Sequence, residues 1–177
     1  SGKSGGAITL PDDRCLLGVD VGKFEQITLG MWVKPYEQDQ AETSLFSCFD
    51  WNEGALHWLL LEDGLRLNVC INGNEPGEAP SEAGLTPNAW NHIALTYDSA
   101  KRTARVFING RPDRSVKYRE AIGLELFDFC VGGWNIDPRT FRGLIDEVRI
   151  YNRALMPSEV ARWARGEAPQ NGLELWW

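Results

Sequence analysis

Trp90-Asn91-His92-Ile93-Ala94-Leu95-Thr96-Tyr97-Asp98, with the segment from Ala104 to Gly110 that follows it, decides how this chain folds. Ile93, Leu95 and Tyr97 fall on one side of an extended run, and polar or small residues fall on the other, the period of two that marks a half-buried strand. A short turn at Ser99 to Arg102 leads to Ala104, Val106 and Ile108, which alternate in the same way. Asn109-Gly110 then supplies the positive φ angles of a tight turn. The stretch reads as an antiparallel hairpin with one face in a core.

The same pattern recurs to either side. Ile27, Leu29, Met31 and Val33 share a strand face that Pro35 ends. Thr43 to Asp50 and Ala55 to Glu62 read as two strands joined by the turn Trp51-Asn52-Glu53-Gly54. Leu65, Leu67, Val69 and Ile71 alternate with Arg66, Asn68 and Cys70, and a Pro/Glu/Gly-rich loop from Gly73 to Pro87 follows. Ser115 to Tyr118, Phe127 to Gly132, Arg142 to Tyr151 and Leu173 to Trp177 read as later strands. About a dozen short strands at this spacing mean a sandwich or a barrel. Only Pro157 to Arg165 reads as a helix, with Pro at its start, Glu159 near the positive end of the dipole, Gly166 to stop it, and Val160, Trp163 and Ala164 as an apolar stripe placed on the sandwich edge.

Composition narrows the function. The 177 residues are 43% apolar and 24% charged, with a net charge of −7 and no Lys/Arg run. Nucleic acid and anionic membrane surfaces both require a concentrated basic face, so neither is expected as a partner. The apolar run around Trp58 to Leu61 is far shorter than the roughly 20 residues that cross a bilayer. The opening Ser1-Gly2-Lys3-Ser4-Gly5-Gly6 reads as an internal piece of a longer protein, and residues 1–177 as one domain of it, expected to be monomeric. Cys15, Cys48, Cys70 and Cys130 have no metal-binding spacing, and both disulfides and free thiols remain open.

Several segments together resemble the bacterial laminin G-like, or concanavalin A-like, jelly-roll family. They are Trp90 to Asp98, then Val106-Phe107-Ile108-Asn109-Gly110, then Gly143-Leu144-Ile145-Asp146-Glu147-Val148-Arg149-Ile150-Tyr151-Asn152-Arg153-Ala154-Leu155. Gly5 to Leu10 and Ile27 to Pro35 look like the family's first strands. The resemblance implies an all-β, two-sheet antiparallel jelly-roll sandwich with one short helix near the C-terminus. It also implies a non-catalytic module of a larger extracellular, periplasmic or envelope protein, recognising carbohydrate or a protein partner. The alternative is a structural or regulatory appendage, such as part of a membrane-anchored envelope regulator. Two departures stand out: Met156 occupies the place of a Ser or Thr helix cap, and a preceding strand is missing, so that Leu173 to Trp177 is expected to rebuild an edge.

The candidate chemistry is sparse. Glu37-Gln38-Asp39-Gln40-Ala41-Glu42 matches the carboxylate spacing of family 16 glycoside hydrolases, but it lacks the apolar partners that hold a catalytic strand rigid and reads as a loop. His57 and His92 lie within strands, away from any nucleophile motif, and read as hydrogen-bonded structural histidines; the chain is not expected to be an enzyme. Trp51 and Trp134 differ from the other tryptophans, since each lies in or beside a turn rich in Asn and Asp. A flat indole with adjacent amides and carboxylates suits a sugar ring, so Trp51, Asn52, Trp134, Asn135 and Asp137 are the expected ligand contacts. Strand alternation sets Asp146 on the face of Leu144, Val148 and Ile150, where a carboxylate needs a partner. The family resemblance offers a structural calcium there, with backbone amides and a neighbouring basic side chain as the other solution. No other cofactor is expected.

Overall fold

In the computed structural model, which describes residues 7–9, 16–18, 21–134 and 139–176, Asn109 and Gly110 adopt φ of 52° and 76° and close the expected hairpin. In chain order the strands are β1 (Ile8–Thr9), β2 (Leu16–Gly18), β3 (Gly22–Phe24), β4 (Gln26–Pro35), β5 (Glu42–Cys48), β6 (Leu56–Leu61), β7 (Arg66–Ile71) and β8 (Pro80–Gly84). They continue as β9 (Asn91–Asp98), β10 (Thr103–Ile108), β11 (Arg111–Lys117), β12 (Leu124–Leu126), β13 (Phe129–Val131), β14 (Gly143–Tyr151) and β15 (Leu173–Trp176), with helix α1 at Pro157–Trp163. Cys15, Asn135, Asp137 and Trp177 lie outside the described residues.

Two antiparallel sheets pack face to face. One runs β1-β14-β4-β9-β10-β11, with β15 also paired to β14, and the other runs β2-β13-β5-β6-β7-β8; β3 and β12 form a separate two-stranded ribbon. The alternation read from the sequence decides which side chains meet between them. Ile27, Leu29, Met31, Val33, Ile93, Leu95, Val106 and Ile150 descend from the first sheet onto Phe46, Leu56, Trp58, Leu60, Leu67, Val69 and Phe129 of the second, all with essentially no exposure. Each fully buried aliphatic or aromatic side chain contributes about 1.5–3 kcal/mol relative to exposure, so this layer is the main stabilising force. The fold is the all-β sandwich that the periodicity and the resemblance implied, and β15 does extend the β14 edge at Arg149 to Tyr151, beyond the point where β1 pairs at Leu144 and Ile145.

Four readings need correction. The Gly73 to Pro87 segment contains strand β8, held where the Ser81 Oγ accepts the Leu67 N–H at 2.9 Å and Asp113 accepts the N–H groups of Glu82 and Ala83. Leu65 precedes its strand, ending a 3₁₀ turn at φ 51°. The strand bearing Asp146 is bulged between Asp146 and Arg149, with Glu147 at φ 48°, so Ile145, Val148 and Ile150 face the core and Asp146 faces outward beside Trp32. Helix α1 lies on the outer face of the first sheet, not on its edge, because Trp163 packs into a second cluster with Ala94, Phe107, Tyr151, Leu155 and Val160.

Candidate functional site

The two outer faces of the sandwich differ in what they leave available. On the first sheet, Trp163 seats its ring over Gly30, where an added Cβ would lie 2.6 Å from the indole. His92 is wholly buried there, edge-on to Trp163 at 4.7 Å and to Trp32 at 5.2 Å. Neither of its ring nitrogens has a hydrogen-bond partner, contrary to the expectation of a hydrogen-bonded histidine. Burial, with Arg149 adding repulsion, lowers the His92 pKa to about 3, so the ring is neutral and acts as packing. Over Ala94, Phe107 and Tyr151 that face is covered by its own helix.

On the second sheet, the alternation that sends Leu56, Trp58 and Leu60 inward sends His57 outward. Ser47 on β5 and Cys70 on β7 are its cross-strand neighbours, and Cys130 on β13 lies opposite Ser47. Over this row the structure brings together the two tryptophans singled out from the sequence. Trp51, in the turn between β5 and β6 and 49% exposed, stacks on the His57 imidazole with centroids 4.1 Å apart and 20° between planes. Trp134 stands nearly perpendicular to both, 5.8 Å from each. Its Nε1 donates to the Cys48 carbonyl at 2.9 Å, which fixes the indole against the end of β5.

Arg139 completes the ledge, with its guanidinium carbon 5.5 Å from the Trp134 ring centroid and an ion pair to Glu42 at 3.0 Å. The Ser44 N–H donates to the Arg139 carbonyl at 2.7 Å and holds that segment along β5. Sequence reasoning missed Arg139, Glu42 and His57 as members of the site, because strand pairing alone brings these residues together. Asn52 is exposed in the Trp51 turn, where its carbonyl accepts from the Asn72 side-chain amide at 3.1 Å. A hollow beside the turn is lined by Asp50, Asn52, Glu53, Glu125 and Asp128, all capable of accepting hydrogen bonds from hydroxyls. Asn135 and Asp137 are outside the described residues.

The charge state of the ledge follows from burial. His57 is 2% exposed, and desolvation, reinforced by Arg139, lowers its pKa to about 4. Burial also raises the Cys70 thiol, with Glu78 and Glu42 adding to the effect, and it pushes the Cys48 thiol up to about 11. Cys48 and Cys70 are free, whereas Cys130 is held in a disulfide. A neutral imidazole beneath two indoles makes a surface suited to contact rather than to proton transfer.

The other site expectations fare differently. Glu37 is exposed in the loop after β4, Asp39 pairs with Arg142 at 3.0 Å, and Glu42 is engaged by Arg139, so the three do not converge on a cleft. Gln38 between them is structural, since its Nε2 donates to the carbonyls of Tyr36 and Arg142 at 2.8 Å. Asp146, 8% exposed, accepts the Glu147 N–H at 2.8 Å. Among the described residues no group of three or more Asp, Glu, His or Cys side chains could hold a metal. No helix among the described residues is long and apolar enough to cross a membrane.

Solved structures share this fold over most of the chain. Domain 4 of an extracellular arabinanase from Geobacillus stearothermophilus, solved with arabinotriose, is 28% identical, with a TM-score of 0.71 over 92% of this chain and 78% of that one. The CBM40 module of the Ruminococcus gnavus IT-sialidase, bound to α2,3-sialyllactose, is 18% identical, with a TM-score of 0.70 over 89% of this chain and 96% of that one. A proposed carbohydrate binding protein from Bacteroides ovatus is 19% identical at a TM-score of 0.74, matching 97% of this chain but 50% of its own length. The likeness to the last two is one of fold alone, and this chain spans half the length of the Bacteroides protein. Comparison with curated proteins gives no match. The family model described as the Concanavalin A-like lectin/glucanases superfamily matches residues 2–161, and the chain belongs to that family.

Proposed function

We propose that this chain is a non-catalytic carbohydrate-binding module of a larger extracellular protein, and that it holds its glycan on the ledge formed by Trp51, Trp134 and Arg139. The observation that carries the reading is the half-exposed Trp51 indole at right angles to Trp134, with the Arg139–Glu42 pair beside them. The face of an indole takes the C–H side of a sugar ring, and the charged pair with the Asp50 to Asp128 hollow supplies donors and acceptors for hydroxyls. The arabinanase domain, solved with arabinotriose, supports the same class of ligand. The disulfide at Cys130 fits an oxidising compartment. Residues 1–177 act as one such module.

The test is calorimetric titration with arabinotriose, α2,3-sialyllactose and soluble plant and bacterial polysaccharides. Saturable heat that Trp51→Ala abolishes is the expected result. Silence across all of them overturns the reading in favour of a structural appendage, and turnover of any polysaccharide overturns its non-catalytic part.

A further inference from the structure

Packing alone leaves one feature of the ledge unexplained. The Asp50 backbone carbonyl favours a proton on the His57 ring, while Nε2 is buried and has no partner. With Nε2 unpartnered, that carbonyl acts on Nδ1, and the neutral tautomer it favours carries its proton there and leaves a lone pair at Nε2. A buried acceptor left unsatisfied costs about 1–3 kcal/mol, and whereas His92 is closed in between Trp32 and Trp163, His57 lies at the outer face of its sheet. What covers the imidazole is not the core but the face of Trp51, a side chain that is itself half in water and is carried by a turn.

We propose that Trp51 is a movable cover and that His57 Nε2 is a binding contact, accepting a hydrogen bond from a hydroxyl of a neutral sugar that seats beneath or beside the displaced indole. This rests on the carbohydrate reading of the ledge and extends it to the class of sugar. A lone pair on a neutral imidazole attracts an O–H donor and repels a carboxylate, and burial keeps the ring neutral. The neighbours on either side, Ser47 and Cys70, are neutral hydrogen-bonding groups as well, and Arg139 is already engaged by Glu42. The row from Cys130 to Cys70 crosses four strands, a span of about 14 Å at the usual strand spacing, which suits a short oligosaccharide lying across the sheet.

The experiment compares wild type, His57→Phe and His57→Gln by melting temperature and by titration with arabinotriose and α2,3-sialyllactose. His57→Phe, which removes the unpaired acceptor, is expected to melt no lower than wild type and to bind arabinotriose about tenfold more weakly, the size of one hydrogen bond. His57→Gln keeps an acceptor at the side-chain tip and recovers part of that loss. Arabinotriose binding that is equal in wild type and His57→Phe overturns the proposal while leaving the ledge as a glycan site. A lower melting temperature for His57→Phe overturns it too, by showing that Nε2 has a role within the fold. A preference for the sialic acid ligand that survives in His57→Phe overturns the neutral-sugar assignment, and silence from both ligands and from the polysaccharides overturns the function and this inference together.

Discussion

Trp51 and His57 illustrate how a side chain's chemistry is set by what lies on it. Burial holds the His57 pKa down at about 4, with Arg139 adding to the effect, and an indole 4.1 Å away is part of what keeps water from the ring. Trp51→Ala is therefore expected to move the His57 titration upward toward the ordinary histidine value of about 6.5, as read by NMR of the imidazole protons. The same change is expected to leave the melting temperature within a few degrees of wild type, since half of that side chain is already in solvent. An unchanged titration would mean that something other than Trp51 buries the ring. Gly30 shows the opposite dependence. An alanine methyl there meets the Trp163 ring at 2.6 Å and the Ile93 carbonyl at 2.9 Å, so Gly30→Ala is expected to destabilise by roughly 1–3 kcal/mol, measured by denaturant unfolding.

At the scale of elements, α1 is the case where local sequence and tertiary context divide the work. Its seven residues are too few for an isolated helix to persist in water. Val160 and Trp163 pin it to the sheet, and Glu159 secures its first turn by accepting the Met156 N–H at 2.8 Å and two bonds from the Arg153 guanidinium at 2.9 and 2.7 Å. This is the half of a capping box that needs no Ser or Thr at the cap, which explains how the helix tolerates Met156. The Arg153 bonds hold the Glu159 pKa down to about 2. A carboxylate depressed in the fold stabilises above its unfolded pKa and ceases to do so as pH falls from about 4.5 toward 2. Glu159→Gln is expected to cost about 1 kcal/mol at neutral pH and to remove that part of the acid sensitivity, as followed by thermal melts. The start and stop of the helix were legible in Pro157, Glu159 and Gly166, but its seat was not, because it depends on a missing side chain at Gly30, far away in sequence. The alternation of β4, β6, β9 and β10 was legible for a plain reason: each has one apolar face. The β14 bulge was not, since an extra residue leaves no mark in composition while it turns Asp146 from the core side to the outer side. Trp51 and Trp134 could be singled out by their polar turns, yet the pairing of Trp134 with Cys48, and the arrival of Arg139, come from strand order alone.

On the scale of the whole molecule, the sandwich packs its own helix on one outer face and carries Trp51 and Trp134 on the other, which gives that second face an aromatic surface for contact. Because Asp146 accepts the Glu147 N–H within its own bulge, a chelator is expected to leave the melting temperature of this sandwich unchanged; a drop in EDTA that calcium reverses would show an ion bound there. Acid should act globally through the two histidines. Both are neutral and buried in the fold, with pKa values of about 4 for His57 and about 3 for His92, below the unfolded value of 6.5. The unfolded chain therefore binds protons that the fold does not, and stability, complete above pH 6.5, is lost as pH falls toward those folded values. With two such groups the slope approaches about 2.7 kcal/mol per pH unit, so melting temperature should fall steeply from about pH 6 to about pH 5, before the carboxylates contribute. His92→Phe should halve that slope, because one buried neutral imidazole remains. A melting temperature that is flat over this interval would mean that both rings can take up a proton inside the fold, which an imidazole wedged between Trp32 and Trp163 and repelled by Arg149 has no room or partner to do.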